Sequence, residues 1–63
     1  MSVRRIWLER RRAYAIAGLE SVAGWERSPN PMERLVYWGK LRAAERAEAA
    51  YQDGLESAAR AAA

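Results

Sequence analysis

The sequence predicts an all-α fold in which two helices pack as an antiparallel hairpin. β-Branched residues are few and never alternate with polar ones, so no segment has the pattern of a strand. Fourteen of the 63 residues are Ala, the strongest helix former. One segment, Ser28-Pro29-Asn30-Pro31, interrupts the helical pattern near the middle of the chain. A chain of this length forms at most one domain, so we expect residues 1–63 to fold as a single hairpin.

The first helix is expected to run from about Val3 to Arg27. Ser2 suits the N-cap position, because its hydroxyl can accept a hydrogen bond from a backbone N–H of the first turn. Ser28 precedes a proline, and a residue in that position is pushed out of the helical region by steric contact. The sequence therefore predicts that the first helix ends before Ser28 and that a turn occupies residues 28–30.

The second helix is expected to run from about residue 31 to residue 60. Asn30 fits the N-cap position and Pro31 the first helical position. Glu33 fits the third helical position, where a carboxylate completes a capping box. These three residues together predict a well-defined helix start immediately after the turn.

A later pair of residues, Asp53-Gly54, raises the question of a break in the second helix, because this dipeptide favours turns. The opposite charges of Glu56 and Arg60, four residues apart, favour continuation of the helix. The flanking Ala residues have the same preference. We expect the helix to continue through Gly54.

The apolar residues of the second helix fall on one broad face, which indicates the face that packs against the first helix. The first helix is less clearly divided, but a line of Trp, Tyr and Gly residues is expected to meet the second helix. The residues predicted to form the core of the hairpin are Trp7, Tyr14, Tyr37, Leu41, Tyr51 and Leu55. Pairing across the turn also places Gly18 opposite Gly39, where two glycines would allow the backbones to approach closely.

The first helix is apolar around more of its circumference than one partner helix can cover. Apolar side chains are therefore left on the outside, and exposed apolar patches that contain Trp usually mark an interface. The residues predicted to form this protein interface are Ile16, Ala23, Leu35 and Trp38. Two hairpins would complete a four-helix bundle, and docking on a larger protein complex is the other interpretation. The sequence thus predicts a small interaction or assembly protein.

The residue types that carry most enzyme chemistry are missing. The chain contains neither Cys nor His, which removes thiolate nucleophiles, thiolate metal ligands and the commonest general base. Glu45 and Glu48 are three residues apart, but Arg42 and Arg46 flank them. Surface ion pairs account for that spacing better than a metal site does. We expect a protein that is not an enzyme and that uses no metal, no cofactor and no small-molecule substrate.

A cluster of basic residues near the N-terminus supports an alternative function, that of a small RNA- or DNA-binding modulator. The candidate contact residues are Arg4, Arg5, Arg10, Arg11 and Arg12. Guanidinium groups bind phosphate in bidentate geometry, and the interleaved aromatic residues could stack on bases. Because the basic residues surround the helix and do not follow one stripe, protein association is the preferred interpretation. An acidic protein surface is the other partner that such a cluster would attract.

No segment has the pattern of a secretion signal or the length and apolarity of a membrane span, so we expect a cytoplasmic protein. An interfacial membrane anchor needs a clean division between polar and apolar faces, which the first helix lacks, so a membrane surface is not the expected partner. Abundant Ala and Arg with a single Lys are typical of GC-rich bacterial, plasmid or phage genes. This composition favours an accessory protein or assembly component from such a source.

Overall fold

The computed structural model describes residues 3–62 and consists of two α-helices joined by a short 3-10 helix. Helix α1 spans Val3–Ser21, the 3-10 helix spans Ala23–Arg27, and helix α2 spans Pro31–Ala62. No strand occurs in these residues, and α1 packs along α2, so the predicted all-α hairpin is confirmed. The predicted N-cap residue, Ser2, lies outside the described residues.

Helix α1 ends at Ser21, earlier than the predicted end at Arg27. The Ser21 hydroxyl donates a hydrogen bond to the Gly18 carbonyl oxygen at 2.7 Å, and such a side-chain bond competes with regular helix. The N–H groups of Val22 and Trp25 then bond the carbonyl three residues back, at 3.1 and 2.9 Å. This is the bonding pattern of a 3-10 helix, which often ends an α-helix. The tighter turn leaves Val22 buried beneath the connection.

The start of α2 is capped at Asn30, with one change from the predicted pattern. Asn30 Oδ1 accepts a hydrogen bond from the Met32 N–H at 2.9 Å. The Glu33 carboxylate accepts a bond from the Ser28 hydroxyl, and this hydroxyl accepts a bond from the Asn30 N–H at 3.1 Å. Ser28 therefore links the two ends of the capping box, which in its usual form joins the carboxylate directly to the N-cap N–H.

Helix α2 continues without interruption through Asp53-Gly54. Gly54 lies against α1, since a Cβ atom at this position would stand 2.6 Å from Leu8 Cδ1. The glycine therefore permits close helix packing and does not form a turn. Arg60 Nη2 lies 3.4 Å from Glu56 Oε2, so the ion pair that favours continuation is formed.

The core of the hairpin is small and comprises Leu8, Val22, Ala44 and Ala47. It lies along a seam between two stripes whose members are all buried or half-buried. The stripe on α1 is Leu8, Arg12, Ala15 and Leu19, and Val22 continues it one residue past the end of the helix. The stripe on α2 is Tyr37, Leu41, Ala44, Glu48, Tyr51 and Leu55. Both stripes alternate spacings of four and three, which is the heptad pattern of helices that interlock side by side.

The prediction that Trp7 and Tyr14 belong to the core is wrong, since their side chains are 58% and 84% exposed. The seam passes through Leu8, one position around the helix from Trp7. Leu8 is the side chain of α1 that fits against Gly54 of α2 there, and the exposed Trp7 ring lies outside this contact. The other four residues predicted for the core are half-buried on α2.

The predicted contact between Gly18 and Gly39 is also wrong. The Lys40 side chain lies across Gly18, with Lys40 Cδ 3.7 Å from the place of a Cβ atom. At Gly39, by contrast, no side chain in residues 3–62 and no backbone atom of another element lies within 4 Å of the position that a Cβ atom would occupy. Helix α2 therefore turns Lys40 toward α1 and presents Gly39 on its outer side.

The hairpin is a narrow rod with extents of 51 × 16 × 12 Å. Its radius of gyration is 14.7 Å, whereas a compact chain of this length has a radius of about 11 Å. A rod that is only two helices thick keeps most side chains at its surface. The shape thus accounts for the small size of the core.

Candidate interaction surfaces

An exposed apolar surface lies on α2 close to the turn, and we call it the turn-end patch. Its members are Met32, Leu35, Val36 and Trp38. Met32 and Leu35 are each 65% exposed, and Trp38 is 47% exposed. The Trp38 indole packs edge-on against Tyr37, with the ring centroids 5.5 Å apart, so the ring is held at the outer surface. Sequence reasoning missed Met32, which lies three residues before Leu35 and four before Val36, and it counted Val36 with the apolar face of α2 that meets the first helix.

The four residues predicted for the protein interface do not all reach this patch. Leu35 and Trp38 belong to it. Ala23 is exposed at the first residue of the 3-10 helix, which packs against α2 near the turn. Ile16 is half-buried on α1. The structure therefore brings three of the four residues to the turn end of the hairpin, and their contact with a partner stays a prediction.

The centre of the seam is polar. Arg12 Nε donates a hydrogen bond to Glu48 Oε2, and Gln52 Nε2 donates one to Glu48 Oε1 at 3.1 Å. The Arg12 guanidinium also lies over the Tyr51 ring, 4.8 Å from its centroid, which is cation–π geometry. The Arg12 hydrogen bond, followed by that of Gln52, lowers the pKa of the Glu48 carboxyl below its ordinary value.

The five residues of the predicted basic cluster are directed to three different places. Arg12 is engaged in the seam. Arg5 forms an ion pair at 3.3 Å with the carboxylate four residues later, and together with Arg4 it borders a groove of about 510 Å³ at the open end of the hairpin. Arg10 and Arg11 border a different groove. The cluster is therefore not a single binding surface, as its distribution around the helix indicates.

The groove beside Arg10 and Arg11 has a volume of about 540 Å³ and lies between the helices near their middle; we call it the central groove. Arg10 and Arg11 of α1 face Lys40 and Arg46 of α2 across it. In the described part of the chain, no carboxylate lines this groove. Small residues complete its lining, namely Ala15, Gly18, Ala43 and Ala47. The central groove is thus an open groove whose charged lining residues are all cationic and come from both helices.

Two exposed aromatic rings, Trp7 and Tyr14, stand along the α1 side of the central groove. The Arg11 guanidinium lies 5.7 Å from the centroid of the Trp7 ring. The two rings are separated by two helical turns, or about 10 Å along the axis. Sequence reasoning assigned both rings to the core, and where it considered that they could stack on bases it paired them with the arginines of α1 and not with the cations of α2.

Residues 3–62 contain no group of three acidic or other metal-ligating side chains placed to hold a metal ion. Of the two carboxylates singled out by their spacing, Glu48 is bound by Arg12 and Gln52, and Glu45 is exposed. Over the same residues, neither α-helix combines the length and apolarity needed to cross a bilayer.

Comparisons with known protein families, with curated proteins and with solved structures find no match to this chain. Its class is described by its own geometry, an antiparallel helical hairpin with a heptad-spaced seam. The turn-end patch and the central groove are its two candidate binding surfaces.

Proposed function

We propose that the protein is a non-enzymatic helical interaction protein that binds a second copy of itself through the turn-end patch and so forms a four-helix bundle. The exposure of the turn-end patch carries this proposal. Met32, Leu35 and Trp38 present large apolar surfaces to solvent on one side of α2. Trp is among the residues that most often dominate the binding energy of an interface, and Trp38 belongs to this patch.

The surface area of the chain supports a partner of similar size. The accessible surface is 5084 Å², whereas a compact monomer of 7.1 kDa exposes about 4,100 Å². The excess of roughly 1,000 Å² is close to the ~800 Å² that each partner buries in a standard protein interface. Packing against one more pair of helices would remove an excess of this size.

A second copy is the partner that the geometry favours. A two-fold axis brings the same patch of both copies together, so that apolar surface meets apolar surface. Two rods of equal length, laid side by side, produce the helix arrangement of a four-helix bundle. The core of a single hairpin is also small, and chains below about 70–80 residues commonly need oligomerisation, disulfides or metals for stability.

Docking on a larger assembly is the competing arrangement. The composition, rich in Ala and Arg with a single Lys, is typical of GC-rich bacterial, plasmid and phage genes. We therefore place the proposed dimer among the small accessory and assembly proteins of such systems. The mass of the purified chain distinguishes the two arrangements. A self-associating chain forms dimers when it is alone, whereas a chain that docks on another protein stays a monomer.

Sedimentation equilibrium at micromolar concentration tests the proposal. We expect the chain to sediment as a dimer that dissociates on dilution. The double substitution Leu35→Ala and Trp38→Ala should produce monomers, because it removes most of the exposed surface of the patch. At low temperature the helical circular dichroism signal should change little, since both side chains lie on the outside of the hairpin, whereas the midpoint of thermal unfolding should fall because the stabilisation by the dimer is lost.

Trp7→Ala is the matched control, because it removes a comparably exposed indole that lies outside the turn-end patch. Its sedimentation should match that of the unchanged chain. An unchanged chain that is monomeric throughout the micromolar range would contradict the proposal. A dimer that persists in the Leu35→Ala/Trp38→Ala variant would contradict the assignment of the interface to this patch.

A further inference from the structure

We infer that the central groove is a binding site for single-stranded nucleic acid. Its four cations would hold the phosphates, and its two exposed aromatic rings would stack with bases. The site lies within one hairpin and is separate from the turn-end patch, so this inference does not depend on the proposed self-association. It differs from a site on the N-terminal arginines alone, because half of its cations belong to α2.

The cations of the central groove are available to an anion. In residues 3–62 the ion pairs of arginines are formed by Arg5, Arg12 and Arg60, none of which lines this groove. The Lys40 stem crosses toward α1 and lies over Gly18, which brings its ammonium group to the side of the groove that carries Arg10 and Arg11. Cations from both helices therefore line the same groove, no carboxylate is among its lining residues, and a chain of phosphates that runs along it has the complementary charge.

The aromatic rings favour a nucleic acid over an acidic peptide. Trp7 and Tyr14 are exposed on the same face of α1 as Arg10 and Arg11, at helical spacings of three and four. An acidic peptide needs only the cations, whereas a base can stack on each ring. The Arg11 guanidinium over the Trp7 ring adds a stacked cation of the kind that single-strand sites use.

The same rings favour a single strand over a duplex. Bases in a duplex are stacked on one another, and their faces are not accessible to a side chain. A single strand exposes its base faces, and stacking on aromatic residues then tolerates any sequence. We therefore expect a site that accepts a short stretch of single-stranded DNA or RNA with little base preference.

Fluorescence anisotropy of the full chain with a dye-labelled oligothymidylate of about twelve nucleotides tests the inference. We expect binding at low salt that weakens as salt rises, with a slope of log affinity against log salt of about −2 to −3 for four phosphate contacts. A matching duplex and an oligoglutamate of equal charge should bind more weakly. Equal binding of either, or no binding at low salt, would overturn the inference.

Substitutions distinguish this site from general attraction by a basic chain. Lys40→Gln should weaken binding severalfold and make the salt slope less negative by about 0.7. Arg60→Gln removes the same charge from an exposed position outside the groove and should have a smaller effect. An equal effect of the two substitutions would overturn the assignment to the groove.

Tyr14 supplies the test of stacking, because it is 84% exposed and its removal should leave the fold intact. Tyr14→Ala should lower the affinity for the oligonucleotide about fivefold or more, whereas Tyr14→Phe keeps the aromatic ring and should leave the affinity unchanged. Unchanged affinity in Tyr14→Ala, with the circular dichroism signal preserved, would overturn the role of the aromatic rings. The Leu35→Ala/Trp38→Ala variant should still bind, and loss of binding there would overturn the placement of the site within one hairpin.

Discussion

Arg12 of α1 and Glu48 of α2 form an ion pair across the hairpin at positions where the heptad spacing of both helices normally holds apolar side chains. Both side chains are about two-fifths exposed, so the pair is only partly removed from water. Partly buried pairs of this kind add little to stability, but a single polar pair in an apolar seam selects one register of the two helices. We therefore interpret this pair as the contact that aligns α1 with α2.

The first prediction concerns this pair. Arg12→Ala should lower the midpoint of thermal unfolding, because it removes both the partner of Glu48 and the cation over the Tyr51 ring. Replacement of Arg12 and Glu48 together by Leu should raise the midpoint, since well-packed apolar residues often stabilise more than an ion pair does. Thermal melts followed by circular dichroism give the unfolding midpoints of the unchanged chain, the Arg12→Ala variant and the double-Leu variant. A double-Leu variant with a lower midpoint than Arg12→Ala would contradict this interpretation.

The second prediction concerns pH. Folding lowers the pKa of Glu48, so the folded state holds its proton less tightly than the unfolded state does. The resulting stability is present above the ordinary glutamate pKa of about 4.3 and is lost as the pH falls through the lowered value in the folded state. Urea unfolding between neutral pH and about pH 3 should show a smaller acid-dependent loss for Glu48→Gln than for the unchanged chain. Identical pH profiles of the two chains would count against the Arg12 contact.

The third prediction compares two helical glycines. Gly39 has open space around its Cβ position, so Gly39→Ala should raise the free energy of unfolding by about 1 kcal/mol through helix propensity. Gly54→Ala should give no such gain, because its Cβ atom would be forced against Leu8. Both substitutions are best measured by urea unfolding in the Leu35→Ala/Trp38→Ala variant, so that association does not contribute. Equal gains at the two positions would show that the helices are not in close contact at Gly54.

The fourth prediction concerns the start of α2. Asn30→Ala should lower the free energy of unfolding by about 1 kcal/mol, because the Met32 N–H loses its acceptor. Asn30→Asp retains a hydrogen-bond acceptor at the same position and should lower the free energy of unfolding much less. Urea unfolding of the two variants provides the comparison, and equal losses would mean that the cap does not contribute to stability.

The helices and the turn were predictable because their signals are local. The two prolines and Asn30 determine where α2 begins, whatever the rest of the chain does. The end of α1 was not predictable in the same way, because a Ser hydroxyl in a helix can either bond a nearby carbonyl or point to solvent, and the burial of Val22, which accompanies the switch to a 3-10 helix, depends on packing against α2.

The surfaces were predictable only in part, for a geometric reason. Leu35 and Trp38 lie on the polar side of α2, and their exposure follows from helical spacing alone. The central groove depends on the rotation of α1 about its axis, which the broad apolar arc of that helix leaves open. The packing of Leu8 against Gly54, together with the Arg12–Glu48 contact, fixes the rotation in which Trp7 and Tyr14 are exposed and the Lys40 stem lies across Gly18.

A seam with four buried side chains has a further consequence for the time that the chain spends folded. Few amides lie deep enough to be shielded from solvent except by the helical bonds themselves, so hydrogen exchange of a solitary hairpin should proceed through frequent whole-molecule opening. Proteases act on the opened chain, and a partner that binds the closed form slows its turnover. The lifetime of this protein in a cell would then depend on the fraction of copies that are bound to a partner, and unbound copies would be degraded first.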